Sequence, residues 1–384
     1  MTDSISVVVV GLGGYGEVYL SALLDEPDAR RCHIVGAVDP EPHRCSRLSD
    51  LEERGIPLFD DLAVFFTKHS ADLAVIASPI QLHADHTCEA LAHGAHVLVE
   101  KPAAAVPSDV DRMIEARDEA RRFVAVGFQW SFAQSILELK RDILAGRFGS
   151  PQGGRSLTLW SRPETYYARN AWAGRRHDSL GRWILDSPAC NAMAHDLHNL
   201  LFLFGEAMDR SAEPIGIAAR LARVNDIETF DTVAARIVAE SGAEILFLAS
   251  HAIGEQEQVE PRFVLEFDEA SVTFPGESAP IVVECNDGST VEYASPYATP
   301  QVAKLWIAVD AVNGVGEIPC GLEAARPHAA CVQALEVSGI IVQDFSDEWV
   351  HRSNMAAGPL RWVEGLSAAL QRSYDTGEWP EILQ

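Results

Sequence analysis

The sequence predicts a two-domain α/β protein: a doubly wound parallel sheet, then an α+β domain with a large open, mostly antiparallel sheet. Strand and helix signals alternate over the first third of the chain, and a glycine-rich turn follows the first strand. Hairpin signals replace that alternation after about Phe128. The length of 384 residues exceeds what one core usually fills. We therefore place the domains at residues 1–128 and 129–384.

The first domain follows from short apolar runs separated by helical stretches. The predicted strands are Ser6–Val10, Ile34–Val38, Asp72–Ala77, Val97–Val99 and Phe123–Gly127. Apolar spacing predicts helices over Tyr15–Leu24 and Leu82–Ala92, and a third helix opens at Pro107 with Ser108 as its N-cap. Strands and helices in this alternation form parallel βαβ units covered on both faces.

The second domain mixes long helices with hairpins. Glycine closes two predicted helices, Ser131–Ala145 and Asn191–Phe204. Between Ile215 and Tyr293 the turn signals Ser241-Gly242 and Asn286-Asp287-Gly288 predict antiparallel strands. Further helices are predicted at the end of the chain, over Gln301–Val312, Pro327–Val337 and Leu360–Gln371.

Composition excludes several classes of protein. With 30 basic and 56 acidic residues the chain carries a net charge of −26, which disfavours nucleic acid and anionic membranes as partners. No apolar run approaches the length of a membrane span. Met1–Ser6 holds an acid and no base, unlike a signal peptide. The 7 scattered cysteines include no C-x-x-C, so we expect free thiols in a soluble, cytoplasmic enzyme.

A dinucleotide fingerprint follows the first predicted strand. The glycines of this G-x-G-x-x-G are Gly11, Gly13 and Gly16, with Gly14 and Tyr15 between them at the start of the helix. They allow a tight turn, close approach of a pyrophosphate and close helix–strand packing, as in a Rossmann domain. Asp39 ends the next strand, where an acid accepts hydrogen bonds from ribose hydroxyls and repels a 2′-phosphate. We therefore predict NAD as cofactor, with NADP disfavoured.

Three further segments make the pattern specific: Ala77-Ser78-Pro79-Ile80-Gln81-Leu82-His83, Glu100-Lys101-Pro102 and Asn191-Ala192-Met193-Ala194-His195. In this order the sequence resembles the Gfo/Idh/MocA oxidoreductases, named for glucose–fructose oxidoreductase and inositol dehydrogenase. The resemblance covers roughly residues 5–340, and the last forty-odd residues look like an addition to the common core. It implies an NAD(P)-binding Rossmann domain, an α/β domain with an open sheet, and a sugar, polyol or related cyclic alcohol bound between them. It also implies a homo-oligomer, a dimer or tetramer.

The resemblance also implies roles for single residues. Lys101 matches the family's active-site lysine, His195 its acid/base histidine, and Asn191 the usual partner carboxylate. The implied cofactor contacts are Ser78, Pro79, His83, Glu100, Lys101 and Gln129. The sequence departs from the family at Asn191 and His198, where the family generally has aspartate, and at Gln129-Trp130-Ser131, where many members have Asn then Arg.

The residues themselves indicate how an alcohol would be oxidised. Such a reaction needs a hydride acceptor and a base, and histidine suits neutral pH. Asn191, His195 and His198 are spaced to share one helix face. Asn191 can orient His195 but lacks the charge that would raise the imidazole pKa. Asp186 is a better candidate for that charge than Asp196, which points elsewhere on the helix.

Lys101 stands at the carboxyl end of a parallel strand, the edge where α/β sheets bind ligands. An ammonium there can donate to the reacting oxygen. For substrate binding we single out Lys101, Trp130, Arg169, Trp172, Asn191, His195 and His198. Arg169 and Trp172 lie in the segment Trp160–Trp183, which is rich in arginine and aromatic residues. It suits either an anionic sugar derivative or a subunit interface.

Other hypotheses for the function stay open. The histidine pairs of the sequence have no third ligand at a recognisable spacing, so we predict no metal site. The main hypothesis is an NAD(P)-dependent dehydrogenase for a sugar, sugar acid or polyol. One alternative is a glycosidase-like enzyme that uses tightly bound NAD transiently. The other is a non-catalytic NAD-binding regulator, which would have no need of Lys101 and His195.

Overall fold

A computed structural model describes residues 4–26, 31–337 and 339–383, so Met1–Asp3 of the N-terminal segment considered above lie outside it. The chain divides into two compact units. The first contains Met1–Phe132 and Pro300–Arg326, and the second contains Ala133–Thr299 and Pro327–Gln384. This division differs from the predicted one because residues 300–326 belong with the N-terminal residues.

The first unit is built on a parallel sheet. Its strands are β1 Ile5–Val10, β2 Cys32–Val38, β3 Leu58–Phe59, β4 Leu73–Ile76, β5 His96–Val99 and β6 Val124–Val126. They lie in the order β3-β2-β1-β4-β5-β6, and every neighbouring pair is parallel. Val7–Val10 are almost wholly buried, as expected for a central strand covered on both faces. The predicted doubly wound sheet is confirmed.

Helices connect these strands. They are α1 Tyr15–Asp25, α2 Leu48–Glu53, α3 Leu62–Phe66, α4 His83–Ala92 and α5 Pro107–Ala120. The prediction that Ser108 caps α5 is wrong: the helix begins at Pro107, and Val106 precedes it without a side-chain cap. Proline suits this first position because its missing N–H has no acceptor there in any case.

The second unit contains a nine-stranded sheet. Its first eight strands are β7 Pro151–Leu159, β8 Pro214–Arg223, β9 Thr232–Ala239, β10 Glu244–Ser250, β11 Val259–Phe267, β12 Ala270–Phe274, β13 Ile281–Cys285 and β14 Thr290–Tyr293. The order is β14-β13-β12-β11-β7-β10-β9-β8, extended by a short ninth strand from the end of the chain. Only β7–β10 and the pair with the ninth strand are parallel among the described pairs, so the predicted mostly antiparallel sheet is confirmed.

The first helices of this unit are α6 Gln134–Leu144, α7 Glu164–Tyr167 and α8 Ala194–Leu203. α6 and α8 are shorter than predicted. The predicted starts at Ser131 and Asn191 are wrong because a 3₁₀ turn, Gln129–Phe132, and a π turn, Pro188–Ala192, precede α6 and α8. α8 packs on β7 and β10, and α6 packs against α8.

Two more helices follow the sheet, α9 Ala303–Val312 and α10 Leu322–Val337. α9 belongs to the first unit. The N–H of Val126 on β6 donates to the Cys320 carbonyl at 2.8 Å, which joins the chain after α9 to the edge of the parallel sheet. The prediction that the next helix opens at Pro327 is wrong, because that proline lies inside α10.

The C-terminal tail covers one face of the nine-stranded sheet. It contains the ninth strand β15 Val342–Asp344, a hairpin of β16 Val350–Met355 and β17 Gly358–Val363, and α11 Leu366–Thr376. The predicted helix over Leu360–Gln371 is wrong at its start, because β17 occupies those residues. Apolar residues of tail and sheet form one buried cluster, including Leu157, Leu159, Leu246, Leu248, Val363, Leu366, Leu370 and Leu383.

Arginines of the sheet hold two aromatic rings of the tail. Tyr374 lies between Arg155 and Arg262, whose guanidinium carbons are 5.8 and 4.7 Å from its ring centre. Trp379 lies in the same way near Arg220 and Arg236, at 5.0 and 5.1 Å. These cation–π contacts fix the tail against its own sheet.

Candidate active site

The glycine-rich turn between β1 and α1 is open on one side and closed on the other. Gly11 has φ +84°, and a Cβ there would lie 2.6 Å from the Ser78 nitrogen. A Cβ at Gly16 would lie 2.0 Å from the Gly11 carbonyl oxygen, so only glycine permits this packing. A Cβ at Gly13 or Gly14 would meet no heavy atom within 4 Å. The space beside these two glycines adjoins the N-terminus of α1, where N–H groups lack helical acceptors.

Asp39 follows β2 and bonds to this turn. Its Oδ2 accepts from the Leu12 N–H at 2.8 Å, and its Oδ1 accepts from the Glu41 N–H at 2.8 Å. Each carboxylate oxygen has a second lone pair for a ribose hydroxyl. The cation nearest in sequence, Arg44, is paired with Glu41 at 2.9 Å.

The turn and Asp39 together fit NAD. Gly13 and Gly14 offer room and helix N–H groups for a pyrophosphate, and Asp39 offers acceptors for the adenosine ribose. Asp39 would repel the extra phosphate of NADP. Bound there, NAD would supply the chemistry of hydride transfer.

His83 joins the segments after β4 and β5. Its Nδ1 is 2.8 Å from the Pro102 carbonyl oxygen, and its Nε2 is 2.7 Å from the Ser78 carbonyl oxygen. The side chain is 1% exposed, and burial lowers its pKa below the ordinary value. Pro79, between Ser78 and α4, is exposed. His83 therefore fixes the loops next to the cofactor site, which is a different task from the predicted cofactor contact.

Glu100 is also a buried anchor. It is 6% exposed and accepts hydrogen bonds from the Tyr19 hydroxyl at 2.5 Å and from the Lys304 ammonium. Burial alone would raise the pKa of Glu100, but Lys304 and Tyr19 hold it below its ordinary value. Its second oxygen lies 3.2 Å from the Lys101 N–H, which donates to it. The carboxylate thus fixes the main chain of Lys101 at the carboxyl end of β5.

The remaining predicted residues of the first unit lie around this anchor. Tyr15, the first residue of α1, has its ring 4.3 Å from the Lys304 nitrogen. Gln129 and Trp130 lie in the 3₁₀ turn after β6, where Gln129 is half-buried and Trp130 is buried. Trp130, which the sequence analysis proposed for substrate binding, is 3% exposed in this structure, and its role stays a prediction.

In the second unit, Asn191 is bound to Asp186. The Asn191 Nδ2 donates to the Asp186 Oδ1 at 2.9 Å, and the Gly174 N–H donates to Oδ2 at 2.7 Å. Leu185, just before Asp186, has φ +52°, an uncommon conformation for a branched side chain. Strained residues and π turns often mark functional sites. Both features adjoin this pair.

His195 and His198 both belong to α8 but differ in environment. His195, in its first turn, is half-buried, whereas His198 is 1% exposed. Burial, with His328 and Lys140 nearby, lowers the pKa of His198 well below its ordinary value. Asn191 precedes α8, so the three residues do not share one helix face as predicted. We therefore place His198 in the core and keep His195 as the candidate base.

Asp196 is turned away from this group. Its Oδ1 accepts from the Thr158 hydroxyl on β7 at 2.7 Å. Burial raises the pKa of Asp196 to about 7. The expectation that Asp186, and not Asp196, lies beside Asn191 agrees with this geometry.

The arginines of the segment Trp160–Trp183 have two kinds of partner, carboxylates and aromatic rings. Three are paired with carboxylates: Arg175 with Glu228, Arg176 with Glu336, and Arg182 with Asp178. The other two stack on aromatic rings. Arg169 lies 3.7 Å from the Tyr166 ring centre and 5.1 Å from that of Trp172, and its NH2 is 3.7 Å from Asp186 Oδ2. Arg162 lies 5.1 Å from the same Tyr166 ring.

Sequence reasoning missed two residues that build the site, Lys304 and Tyr166. Lys304 bonds to Glu100 from α9, 204 residues along the chain. Its one signal in the sequence is that it is the lone cation of α9. Tyr166 stood in a segment already singled out, but nothing in the sequence marked its ring as the support of Arg162 and Arg169.

Among residues 4–26, 31–337 and 339–383, no group of three or more His, Cys, Asp or Glu side chains could hold a metal ion. In the same part of the chain, no helix has both the length and the apolar character needed to cross a membrane.

Residues 5–128, about a third of the chain, are similar to a known family. Residues 5–128 match the family model GFO_IDH_MocA, described as an oxidoreductase family with an NAD-binding Rossmann fold. This part of the chain is thus similar to the NAD-binding Rossmann domain of the Gfo/Idh/MocA oxidoreductases. The predicted resemblance is thereby confirmed, as is NAD as the cofactor of this domain.

Relatives of the Gfo/Idh/MocA domain act on different substrates. The chain is 30% identical to an inositol 2-dehydrogenase of Rubrobacter xylanophilus over 152 residues, which are 39% of this chain and 42% of the relative. It is 26% identical to a glycosyl hydrolase family 109 protein of Streptomyces coelicolor over 188 residues, 45% of this chain and 39% of the relative. The chain thus spans less than half the length of these relatives.

The fold continues beyond the Gfo/Idh/MocA domain. A WlbA dehydrogenase from Chromobacterium violaceum, crystallised with NADH and UDP-GlcNAcA, matches with a TM-score of 0.72 at 21% identity. The match covers 88% of this chain and 94% of that one. At this identity the match shows that the two chains share a fold.

Proposed function

We propose that this chain is an NAD-dependent dehydrogenase that transfers a hydride between nicotinamide and a secondary alcohol of a sugar, sugar acid or polyol. The observation that carries the proposal is the position of Lys101. It follows β5 of a sheet whose glycine turn fits NAD, and the buried Glu100 carboxylate fixes its main chain. A lysine held at the ligand-binding edge of such a sheet is suited to act on a bound substrate.

The roles of the residues follow from their chemistry. When bound, NAD accepts or donates the hydride. The Lys101 ammonium donates a hydrogen bond to the reacting oxygen and stabilises negative charge on it. His195 takes the hydroxyl proton in oxidation and returns it in reduction. Asn191 is a positioning residue, and Asp186 supplies the nearby negative charge that an amide lacks.

The substrate we propose carries an acidic group. Among the described residues no ion pair includes Arg162, Arg169 lies 3.7 Å from the Asp186 carboxylate, and aromatic rings hold both arginines in place. Trp172 next to Arg169 offers an apolar face for a sugar ring. The ligand UDP-GlcNAcA of the WlbA dehydrogenase, an acidic nucleotide sugar, is of this class.

We extend the proposal to the setting of the enzyme. The net charge of −26 disfavours nucleic acid and anionic membranes as partners. The seven scattered cysteines include no C-x-x-C motif, which suits the reducing cytoplasm. We also propose that the protein forms a homo-oligomer, either a dimer or a tetramer.

A glycosidase that uses NAD transiently is the second candidate, because the family 109 glycosyl hydrolase is among the relatives. Such an enzyme would release a leaving group from a glycoside with no net reduction of NAD. The same residues, Lys101 and His195, would serve its oxidation step.

One experiment separates these functions. Purified protein is mixed with NAD, then with NADP, and with a panel of sugars, sugar acids, inositols and UDP-sugars, while absorbance of reduced nicotinamide is followed. We expect NAD reduction with an acidic member, lost in Lys101→Ala and His195→Ala and kept in Lys68→Ala, a lysine of the same unit placed beside Phe59. Release of p-nitrophenol from nitrophenyl glycosides without NAD reduction would establish the glycosidase instead. Binding of NAD with neither reaction would establish a regulator.

A further inference from the structure

The C-terminal hairpin β16–β17 holds the short helix α7. At four residues, α7 is too short to be stable alone. The Arg361 Nε of β17 donates to the Glu164 Oε1 at 2.9 Å. The Thr165 hydroxyl donates to the Ala357 carbonyl, in the hairpin turn, at 2.6 Å. Two successive residues of the helix are thus bound to the hairpin.

The hairpin approaches α7 as closely as its backbone allows. Gly358 has φ +131°, and a Cβ there would lie 2.8 Å from the Thr165 Cγ2. Only glycine satisfies both the conformation and the contact. The other end of β17 is fixed to the sheet, because Val363 is buried in the apolar cluster and its N–H donates to the Ala252 carbonyl at 2.9 Å.

From α7 the contacts continue to the candidate substrate residues. The Tyr166 ring supports the Arg169 guanidinium at 3.7 Å, and the Tyr166 carbonyl accepts from Arg169 NH1 at 2.5 Å. Arg169 NH2 lies 3.7 Å from Asp186, which in turn accepts from the Asn191 amide. An unbroken series of contacts therefore runs from Arg361 to Asn191 within the second unit.

These contacts distinguish the hairpin from a simple cover of the sheet. The burial of α11 and Val363 already attaches the tail to the sheet, and neither needs an ion pair with Glu164. The contacts at Arg361 and Ala357 add nothing to that apolar cluster. What they do determine is the position of Tyr166, and with it the guanidinium of Arg169.

We propose that the C-terminal hairpin is a specificity element of the substrate site, in which Arg361 is a positioning residue that holds α7 so that Arg169 meets an acidic group of the substrate. The inference rests on the proposed dehydrogenase function. Its ligand class is a carboxylate on a sugar, which an arginine fork binds with two hydrogen bonds.

The test compares Arg361→Ala with Arg352→Ala. Arg352 is the cross-strand partner of Arg361 in the same hairpin, and no ion pair of the described residues includes it. The probes are UDP-GlcNAcA and UDP-GlcNAc, which differ in the carboxylate. We expect Arg361→Ala to raise KM for the acid by about tenfold, or ~1.4 kcal/mol, with little change in kcat. The KM for UDP-GlcNAc, which lacks the carboxylate, and the Kd of NAD should change less than about twofold.

Two further variants keep the test decisive if Arg361→Ala folds poorly. Thr165→Val removes the hydroxyl that bonds to Ala357 at nearly constant shape, and should raise KM for the acid in the same direction. Arg361→Lys keeps a cation near Glu164 and should recover part of the affinity. Hydrogen exchange at residues 164–169 should rise in Arg361→Ala and Thr165→Val but not in Arg352→Ala.

The possible outcomes distinguish failure of this inference from failure of the proposed dehydrogenase function. A wild type that oxidises the acid, with Arg361→Ala and Arg352→Ala alike in KM, overturns the inference and leaves the dehydrogenase standing. An equal rise in KM for UDP-GlcNAcA and UDP-GlcNAc in Arg361→Ala also overturns it, since that is the result of general damage. A wild type that neither binds nor oxidises either probe overturns the acidic substrate class and the inference with it.

Discussion

Replacing Lys304 with methionine would leave the Glu100 carboxylate buried without its cation. In the structure Lys304 is 1% and Glu100 6% exposed, and the ammonium also donates to the Gly127 carbonyl at 3.0 Å. Removing one partner of a buried ion pair typically costs about 3–5 kcal/mol, because the other charge stays desolvated. We expect Lys304→Met to lose that much free energy of unfolding at neutral pH. In the double variant Lys304→Met/Glu100→Gln no charge is left, and we expect it to recover at least half of the loss.

The loss should depend on pH with a definite sign. In the wild type the pKa of Glu100 is lowered, so its contribution to stability is present above the ordinary glutamate pKa of about 4.3 and is lost as pH falls through the lowered value. In Lys304→Met burial dominates, the folded pKa is raised, and the folded state loses stability as pH rises through the range between the two. The difference between the proteins should therefore be small near pH 4 and large near pH 8.

Urea unfolding followed by circular dichroism at several pH values measures this difference. The reasoning would be refuted by a loss below about 1 kcal/mol at neutral pH, or by a loss that grows toward acid. It would also be refuted if the double variant were no more stable than Lys304→Met. Because Glu100 also fixes the Lys101 main chain, kcat should fall in Lys304→Met under conditions where the protein is still folded.

Three further predictions concern other parts of the molecule. Asp39→Ser should raise the Kd of NAD by about tenfold or more and reduce the preference of the protein for NAD over NADP. Both Kd values are measured, and unchanged values would show that Asp39 does not bind the ribose. Asp196, whose pKa burial raises to about 7, destabilises the folded state increasingly from its unfolded pKa near 4 up to pH 7. Asp196→Asn should therefore match the wild type at pH 4 and exceed it by roughly 2–4 kcal/mol at pH 8 in urea unfolding, and equal curves at both pH values would contradict the assignment. Tyr374→Ala should cost about 2–4 kcal/mol in the same assay, because the ring is buried between two arginines, and a loss below ~1 kcal/mol would show that the tail is held elsewhere.

The sequence was most informative where the chemistry is local. Gly11, Gly13 and Asp39 are within one βαβ unit, and each has a physical reason for its place, so the Rossmann turn could be predicted from spacing. The apolar, β-branched run Val7–Val10 likewise predicts a buried parallel strand. In these cases the residues that interact are close together in the chain.

Prediction failed where partners are far apart or where local signals compete. Lys304 and Glu100 are separated by 204 residues, and no pattern in the sequence pairs them. The helix predicted over Leu360–Gln371 missed the strand β17. The alternation of apolar and polar residues in Gly358–Val363 is short, and the strand is stabilised by its partner β16. Asn191 was placed on a helix face because a π turn has no recognised sequence signal.

Asn191 stands where the Gfo/Idh/MocA oxidoreductases generally have aspartate, and the Asp186 carboxylate lies next to it. An amide at this position is neutral, yet its Nδ2 bonds to Asp186, so a carboxylate still lies one hydrogen bond away. Asp186 in turn accepts from Gly174 and lies near Arg169, and Arg169 is held by Tyr166 on α7. The Asp186 carboxylate and the Arg169 guanidinium, for which we propose roles in catalysis and substrate binding, therefore belong to one network. A change at either end should alter both the pH dependence of catalysis and the affinity for an acidic sugar, whereas two independent sites would respond separately.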